Sequence, residues 1–100
     1  MLKVEQTDNF RRWFEKLKDS ESKARIDMRL RRLRRGLIGD AKALGRGVSE
    51  LRIDYGPGYR VYFMRKDAEI ILLLLGGDKR HQAGDILLAM KLAEAERDKE

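Results

Sequence analysis

Alternating apolar and polar residues predict a run of β-strands in the second half of the chain. Residues 50–55 (ELRIDY) and 59–64 (YRVYFM) follow a two-residue period on either side of a turn at 56–58 (GPG). Residues 70–75 (IILLLL) are apolar throughout, which is typical of a strand covered on both faces. With a tight turn at 66–68, these strands predict an antiparallel meander.

The first half of the chain has the period of α-helices. Two apolar stripes recur at spacings of three and four residues: Phe10, Trp13, Phe14 and Leu17, then Ile26, Leu30, Leu33 and Leu37. Thr7 or Asp8 is expected to cap the first helix, Asp19 or Ser20 the second, and Gly36 to end it. The turn between the two helices is predicted to be only two or three residues long, which predicts an antiparallel helical hairpin.

The remaining segments complete the predicted order. Residues 2–6 are expected to form a first strand, 36–47 a glycine-rich loop, and 85–95 a last helix whose charged end is frayed from residue 94. The order β-α-α-β-β-β-α predicts one α+β domain over 1–100, in two layers, with the meander packed on the helical hairpin. The other sheet face is predicted to stay partly open and to carry Arg52, Arg60 and Tyr62.

Composition excludes several functional classes. The chain has no cysteine and one histidine, so we expect no disulfide, no metal centre and no cofactor. Its longest apolar run is far shorter than the about 20 residues that cross a bilayer, and residues 1–6 lack the apolar core of a signal peptide. We therefore expect a cytoplasmic protein with no membrane partner.

The net charge of +6 comes from one segment. Residues 23–35 contain seven lysines and arginines and one aspartate, while the bases and acids elsewhere balance at sixteen each. Such a stripe attracts polyanions or an acidic protein partner. Arg31, Arg34 and Arg35 are candidate contacts to RNA, although a solvated helix face and a surface that binds an acidic protein partner remain alternatives.

Cationic side chains from separate strands are predicted to converge. Pleating places Arg52 and Arg60 on one face, and residues 79–81 (KRH) follow the next strand. Cations that meet in this way suit a phosphate ligand and can stabilise charge in a transition state. His81 has the one side chain type that titrates near neutrality, with an unperturbed pKa of about 6.5, which suits proton transfer.

The segments ELRIDYGPGYRVY (50–62) and GGDK (76–79) resemble the RelE/ParE toxin superfamily, and in particular its HigB-like addiction module killer proteins. The resemblance implies the toxin of a type II toxin–antitoxin system. Many such toxins cut mRNA on the translating ribosome, whereas ParE-like members poison DNA gyrase. Each is held inactive by a cognate antitoxin, which we expect to be a helix-turn-helix DNA-binding protein.

The resemblance also implies roles for particular residues. Arg60 matches the arginine of the Gly-Tyr-Arg motif that contacts the scissile phosphate in RelE-type nucleases. The predicted catalytic residues are Arg60, Lys79, Arg80 and His81, and the predicted RNA contacts are Arg52, Tyr62, Arg31, Arg34 and Arg35. One departure is that residues 84–87 (GDIL) lack the tyrosine that many RelE nucleases carry there.

These features predict a metal-independent mRNA endonuclease that inhibits translation, with a ParE-like gyrase inhibitor and an inactive or accessory RNA-binding module as alternatives. Several residues also have structural interpretations. Arg52 can form an ion pair with Glu50 or Asp54. Glu50 is interpreted as the structural partner of Arg52 more readily than as a general base in a reaction. Asp78 and Asp85 are expected to cap the turn and the last helix.

Overall fold

The computed structural model describes residues 1–99, which form an α+β fold with one mixed sheet and helices on both of its faces. In chain order the elements are β1 (Lys3–Gln6), α1 (Asp8–Lys16), α2 (Ser20–Arg34), β2 (Ala41–Gly45), β3 (Val48–Ile53), β4 (Tyr59–Arg65), β5 (Ile70–Asp78), a 3-10 turn (Lys79–His81) and α3 (Gln82–Asp98). This confirms the predicted α+β class, while α3 adds a third layer to the predicted two and β2 adds a strand to the predicted order.

The sheet contains the predicted meander and one further strand. Its order is β1-β5-β4-β3-β2, with β1 parallel to β5 and the other neighbours antiparallel. The loop prediction for residues 36–47 is wrong in part, because β2 pairs with β3 through Ala41↔Leu51 and Lys42↔Glu50. A short edge strand can form by hydrogen bonding to the open edge of its neighbour, even when its own residues do not alternate between apolar and polar. Residues 41–45 (AKALG) lack this alternation, so they carry no strand signal of their own.

Local capping signals fix the helical hairpin. The Thr7 hydroxyl accepts a hydrogen bond from the Phe10 N–H (3.1 Å), and the Asp19 carboxylate accepts one from the Ser22 N–H (3.3 Å). Gly36, with φ +82°, follows the last turn of α2 as predicted. The prediction that Leu37 continues the apolar stripe of α2 is wrong, because Leu37 lies beyond Gly36 and is 58% exposed.

Each face of the sheet buries its own hydrophobic core. On one face α1 and α2 pack against the meander, where the core includes Phe10, Ile26, Leu33, Leu51, Val61, Phe63, Ile71 and Leu73. On the other face α3 covers a second core that includes Val48, Tyr62, Met64, Leu72, Leu74, Leu75, Ala89 and Ala93. The prediction that this face is partly open is therefore wrong along the length of α3, where the small side chains of Ala89 and Ala93 face the sheet.

The last helix is longer than predicted at both ends. It starts at Gln82 and continues to Asp98, into the segment from residue 94 that was predicted to be frayed, and Glu100 lies outside the described residues. Near its end Arg97 Nη1 donates a hydrogen bond to the carbonyl of Arg46 (2.7 Å). Of the helices in residues 1–99, none combines the length and apolar character needed to span a membrane.

Candidate functional site: a cationic pocket beside the β3–β4 hairpin

Three cationic side chains line one pocket at the turn end of the β3–β4 hairpin. Arg52 and Arg60 are directly opposite each other in the β3–β4 register, and Arg60 is opposite Gly77 of β5, two residues before Lys79. The pocket has a volume of about 270 Å³ and is lined by Asp40, Arg52, Asp54, Gly58, Arg60 and Lys79. Three cations against two carboxylates leave it net positive, which suits an anionic ligand.

The turn before β4 and the turn after β5 are tied together. The N–H of Lys79 donates a hydrogen bond to the carbonyl of Gly58 (2.8 Å). Gly58 has φ +81°, a left-handed conformation that favours glycine. A side chain there would meet Lys79 Cβ at 3.5 Å and Arg60 Nη1 at 3.7 Å. These are ordinary van der Waals distances, so the backbone conformation, and not a lack of space, favours glycine here.

Arg60 is largely buried, with a side chain that is 12% exposed. Its Nε lies 3.7 Å from Glu50 Oε1, and its Nη1 donates to the carbonyl of Tyr59 (3.3 Å). Within residues 1–99, Nε has no hydrogen-bond partner. The guanidinium therefore turns its Nε edge toward the protein interior and its Nη1 toward Gly58.

Glu50 differs from its sequence-based interpretation. Glu50 does not pair with Arg52. It is buried beneath the start of α3, with 1% of its surface exposed, and its Oε2 accepts a hydrogen bond from Gln82 Nε2 (2.8 Å). The sequence correctly placed Glu50 on the face of Arg60, since both obey the two-residue period. The burial and the contact with Gln82 depend on α3, which local periodicity does not locate.

Arg52 has a partner from the segment predicted as a loop. Its Nη2 and Nε lie 2.9 and 3.2 Å from Asp40 Oδ1, so neither Glu50 nor Asp54 is its acceptor. Arg29 of α2 holds this segment, because its Nη2 donates to the carbonyls of Ile38 (3.3 Å) and Asp40 (3.2 Å). Burial lowers the pKa of Arg29, although Asp40 opposes the shift. Sequence reasoning missed Arg29 because it looks like any other base of the α2 stripe.

The turn at Lys79–His81 is closed by Asp78. The Asp78 carboxylate accepts a hydrogen bond from the His81 N–H (3.2 Å) and lies 2.9 Å from His81 Nδ1. Burial acts to raise the pKa of Asp78, but the hydrogen bonds with His81 outweigh it and the pKa is lowered. This bears out the predicted capping role of Asp78. The His81 ring is 64% exposed, and with Nδ1 bound to Asp78 its Nε2 is the nitrogen left for other contacts. Arg80 is exposed and lies outside the pocket lining.

Tyr62 lies on the predicted face, but it is not available to RNA. Tyr62 is fully buried (0% exposed) under α3, so the prediction that it contacts RNA directly is wrong for this structure. Burial, together with the carboxylates of Glu50 and Asp85, raises the pKa of Tyr62, and within residues 1–99 its hydroxyl has no hydrogen-bond partner. The phenol is therefore neutral at physiological pH.

Asp85 packs over the sheet and does not cap α3, which begins three residues earlier at Gln82. A side chain on Gly77 would overlap the Asp85 carboxylate, and one on Gly76 would overlap the Trp13 ring. The two glycines therefore let α3 approach one face of β5 and α1 the other. Burial raises the pKa of Asp85.

The three arginines at the end of α2 that are predicted to contact RNA do not line the pocket. Arg31 forms an ion pair with Asp27 (2.9 Å), and Arg31 and Arg34 line a groove between α2 and β1. Arg34 and Arg35 are exposed at the end of α2. Within residues 1–99, no group of three or more histidine, cysteine or carboxylate side chains is arranged to hold a metal ion.

Two solved structures share this fold. A chain of the intact E. coli RelBE toxin–antitoxin complex superposes with a TM-score of 0.67 at 15% identity, over 78% of this chain and 96% of that one. The conserved hypothetical protein HP0894 of Helicobacter pylori superposes with a TM-score of 0.50 at 21% identity, over 80% of this chain and 97% of that one. The chain therefore shares its fold with these two proteins, which agrees with the fold expected from the sequence.

Sequence comparison adds a closer relationship. An uncharacterised protein of Haemophilus influenzae is 43% identical over 93 residues, which cover 93% of this chain and 94% of that protein. The chain belongs to the same family as this Haemophilus protein. No family model matches the chain.

Proposed function

We propose that the protein is the toxin of a type II toxin–antitoxin system and that it cuts mRNA engaged on the ribosome without a metal ion. The observation that carries this proposal is the pocket lined by Arg52, Arg60 and Lys79. Its position on a fold shared with a chain of a toxin–antitoxin complex supports the toxin assignment. The proposal includes membership of the HigB-like branch and action in the cytoplasm.

The proposed reaction is attack of an RNA 2′-hydroxyl on the adjacent phosphate. The new bond joins the 2′-oxygen to phosphorus, and the bond from phosphorus to the 5′-oxygen breaks, so a cyclic phosphate and a 5′-hydroxyl result. Arg60 and Lys79 stabilise the charge on the phosphate oxygens, and Arg52 binds the neighbouring backbone.

A proton leaves the 2′-oxygen and another reaches the departing 5′-oxygen. His81 is the proposed proton carrier, and the contact between Asp78 and Nδ1 (2.9 Å) orients the ring with Nε2 outward. Arg80, exposed on the same turn, is proposed as a further phosphate contact.

Two macromolecular partners follow from this proposal. The ribosome presents dense negative charge, to which Arg34 and Arg35 at the exposed end of α2 are suited. The other partner is a cognate antitoxin, proposed to be a helix-turn-helix protein, by analogy with the complex that shares the fold.

A second candidate function is binding and inhibition of DNA gyrase without cleavage. One observation favours it: among the described residues, the pocket lining contains neither a histidine nor a tyrosine. An inhibitor that only binds needs no proton carrier, so the exposed His81 and the buried Tyr62 would have no chemical role.

A purified translation assay tests these functions. Programmed ribosomes, naked mRNA and a gyrase supercoiling reaction are each incubated with the protein, and mRNA 5′ ends are mapped. Cuts only in ribosome-engaged mRNA support the nuclease, and inhibited supercoiling with intact mRNA supports the gyrase inhibitor. No effect in any reaction favours the inactive or accessory module.

Two variants on the same strand make the assay specific to the pocket. Arg60→Ala removes the buried pocket cation and is expected to abolish cleavage. Arg65→Ala, at the exposed end of β4, is the matched control and is expected to leave cleavage intact. Equal cleavage by Arg60→Ala and the wild type, both folded by circular dichroism, would contradict the proposed role of Arg60.

A further inference from the structure

We propose that Glu50 and Gln82 are positioning residues, which together hold Arg60 and the Lys79–His81 turn in one arrangement. This inference rests on the proposed function of the pocket for its catalytic consequence. Its structural content, the orientation of Arg60, is independent of that function. Neither residue lines the pocket, so each acts on a ligand through its neighbours.

The Glu50 carboxylate has a different partner on each oxygen. Oε1 faces Arg60 Nε at 3.7 Å, and Oε2 accepts the hydrogen bond from Gln82 Nε2 at 2.8 Å. A carboxylate this deeply buried is costly to keep charged unless a cation and hydrogen-bond donors surround it. Here the cation comes from β4 and the donor from α3, so one side chain of β3 joins two separate elements.

The contact with Glu50 determines which edge of the Arg60 guanidinium meets a ligand. Nε is buried and has no hydrogen-bond acceptor within residues 1–99, so attraction to Glu50 is what holds that edge inward. Nη1 is then directed to the Tyr59 carbonyl and to the wall formed by Gly58. Without the carboxylate, nothing compensates Nε in its buried position, and the guanidinium is expected to reorient toward water.

Gln82 carries the same constraint to the other half of the site. It is the first residue of α3 and follows His81 directly. The start of the turn is already fixed by the bond from the Lys79 N–H to Gly58 and by the Asp78 cap. The bond from Gln82 to Glu50 fixes its far end, across 32 positions of sequence.

Other polar groups near Glu50 do not replace it. Tyr62 is opposite Glu50 in the β3–β4 register, and its phenol is neutral. Asp85 packs over Gly77 and forms no ion pair with Arg60 among the described residues. Glu50 is therefore the carboxylate that sets the orientation of Arg60.

The test compares Glu50→Gln with Glu5→Gln. Both changes neutralise an ion-paired carboxylate of the sheet, but Glu5 of β1 pairs with Lys3 and Lys66 outside the site. The first measurement is the ¹⁵N NMR signal of the Arg60 Nε–H group, assigned by its absence in Arg60→Lys. A buried and paired Nε–H is expected to exchange slowly in the wild type and in Glu5→Gln. We expect this slowly exchanging signal to be lost in Glu50→Gln.

The second measurement is cleavage of ribosome-engaged mRNA under multiple turnover. Misplacement of a transition-state contact lowers kcat more than it raises KM, so Glu50→Gln is expected to lower kcat by about a hundredfold, with KM changed by less than about threefold. A change that merely reduced the folded fraction would lower the amount of active enzyme without removing the Arg60 signal from the molecules that remain folded.

Gln82→Ala covers the case in which Glu50→Gln does not fold. It leaves the pair between Glu50 and Arg60 in place and removes the anchor of the turn. We expect the Arg60 Nε–H signal to persist, the backbone amide signals of residues 79–81 to shift, and kcat to fall.

Slow exchange of the Arg60 signal in Glu50→Gln, or unchanged signals for residues 79–81 in Gln82→Ala, would overturn the inference. If the wild type cleaves no mRNA, the proposed function fails, while the two NMR results still decide the positioning role.

Discussion

The two ends of α3 are attached to the sheet by different kinds of polar contact. At its start, Glu50 is buried and contacts the partly buried Arg60 and Gln82, and Arg60 Nε has no hydrogen-bond partner within residues 1–99. At its end, Glu96 pairs with Lys66 (3.3 Å) and Lys99 (3.2 Å) near the surface. Burial acts against the charge of Glu96, but hydrogen bonds with Lys99 and Lys66 outweigh it and lower its pKa.

This difference supports the proposed location of the functional site. The contacts at the end of α3 fasten the helix, and water can replace them at little cost. Those at its start keep charged groups out of water and leave Arg60 Nε without a hydrogen-bond partner within residues 1–99. Such atoms are rare in native proteins, and a functional role is one explanation for them. The candidate pocket borders the start of α3, and the contrast between the two ends can be tested by substitution.

The largest expected effect is at the start of α3. Glu50→Ala leaves Arg60 largely buried without its carboxylate and removes the acceptor of Gln82, so we expect the free energy of unfolding to fall by about 3 kcal/mol. Urea denaturation at neutral pH measures this change. A loss below about 1 kcal/mol would indicate that Arg60 finds water easily, and would remove the contrast between the two ends.

Tyr62→Phe tests the same end by its pH dependence. The pKa of Tyr62 is raised in the folded protein, so the folded state holds this proton more tightly than the unfolded chain. Its contribution to stability is complete below the unfolded pKa of about 10 and is lost as the pH rises toward the folded value.

We expect wild-type stability to fall above about pH 10 by up to about 1.4 kcal/mol per pH unit from this group, and the dependence to be weaker in Tyr62→Phe. Urea unfolding at several pH values between 9 and 11 compares the two proteins. At neutral pH the variant is expected to be as stable as the wild type or more so, since the phenol oxygen has no hydrogen-bond partner among residues 1–99. Parallel pH curves would contradict the assignment.

A weaker and salt-dependent effect is expected for α2, outside both ends of α3. Arg34→Glu with Arg35→Glu reverses two exposed charges, while Arg31 is already paired with Asp27. If these arginines contact ribosomal RNA, the slope of log K against log salt should become shallower by about two. Sedimentation with ribosomes at several salt concentrations measures it, and an unchanged slope would make this surface a solvated helix face.

The smallest effect is expected at the end of α3. Lys66→Met removes the lysine that joins Glu5 of β1 to Glu96 of α3, with little change in apolar volume. We expect its urea midpoint to be hard to distinguish from that of the wild type, and mRNA cleavage to be unchanged. A destabilisation as large as that of Glu50→Ala would show that the exposed ion pairs also support the fold.

Much of the architecture was predictable because its signals are local. Thr7, Asp19 and Gly36 act within a few residues of the helix ends that they define, and the meander follows from turns and alternation. Strand β2 was not predictable in this way, since its five residues form a strand through pairing with β3. The start of α3 at Gln82 was not predictable either, because the 3-10 turn that precedes it has no apolar period to mark where the helix begins.

The candidate site shows the same division. The two-residue period of β3 and β4 by itself determined that Glu50, Arg52, Arg60 and Tyr62 share a face of the sheet, since pleating requires it. Only the tertiary structure decided which of these side chains meet solvent and with which partners. Packing of α3 buries Glu50 and Tyr62, and the segment before β2 brings Asp40 to Arg52. Side-chain direction is a local property of the backbone, whereas burial and ion pairing depend on residues that are distant in sequence.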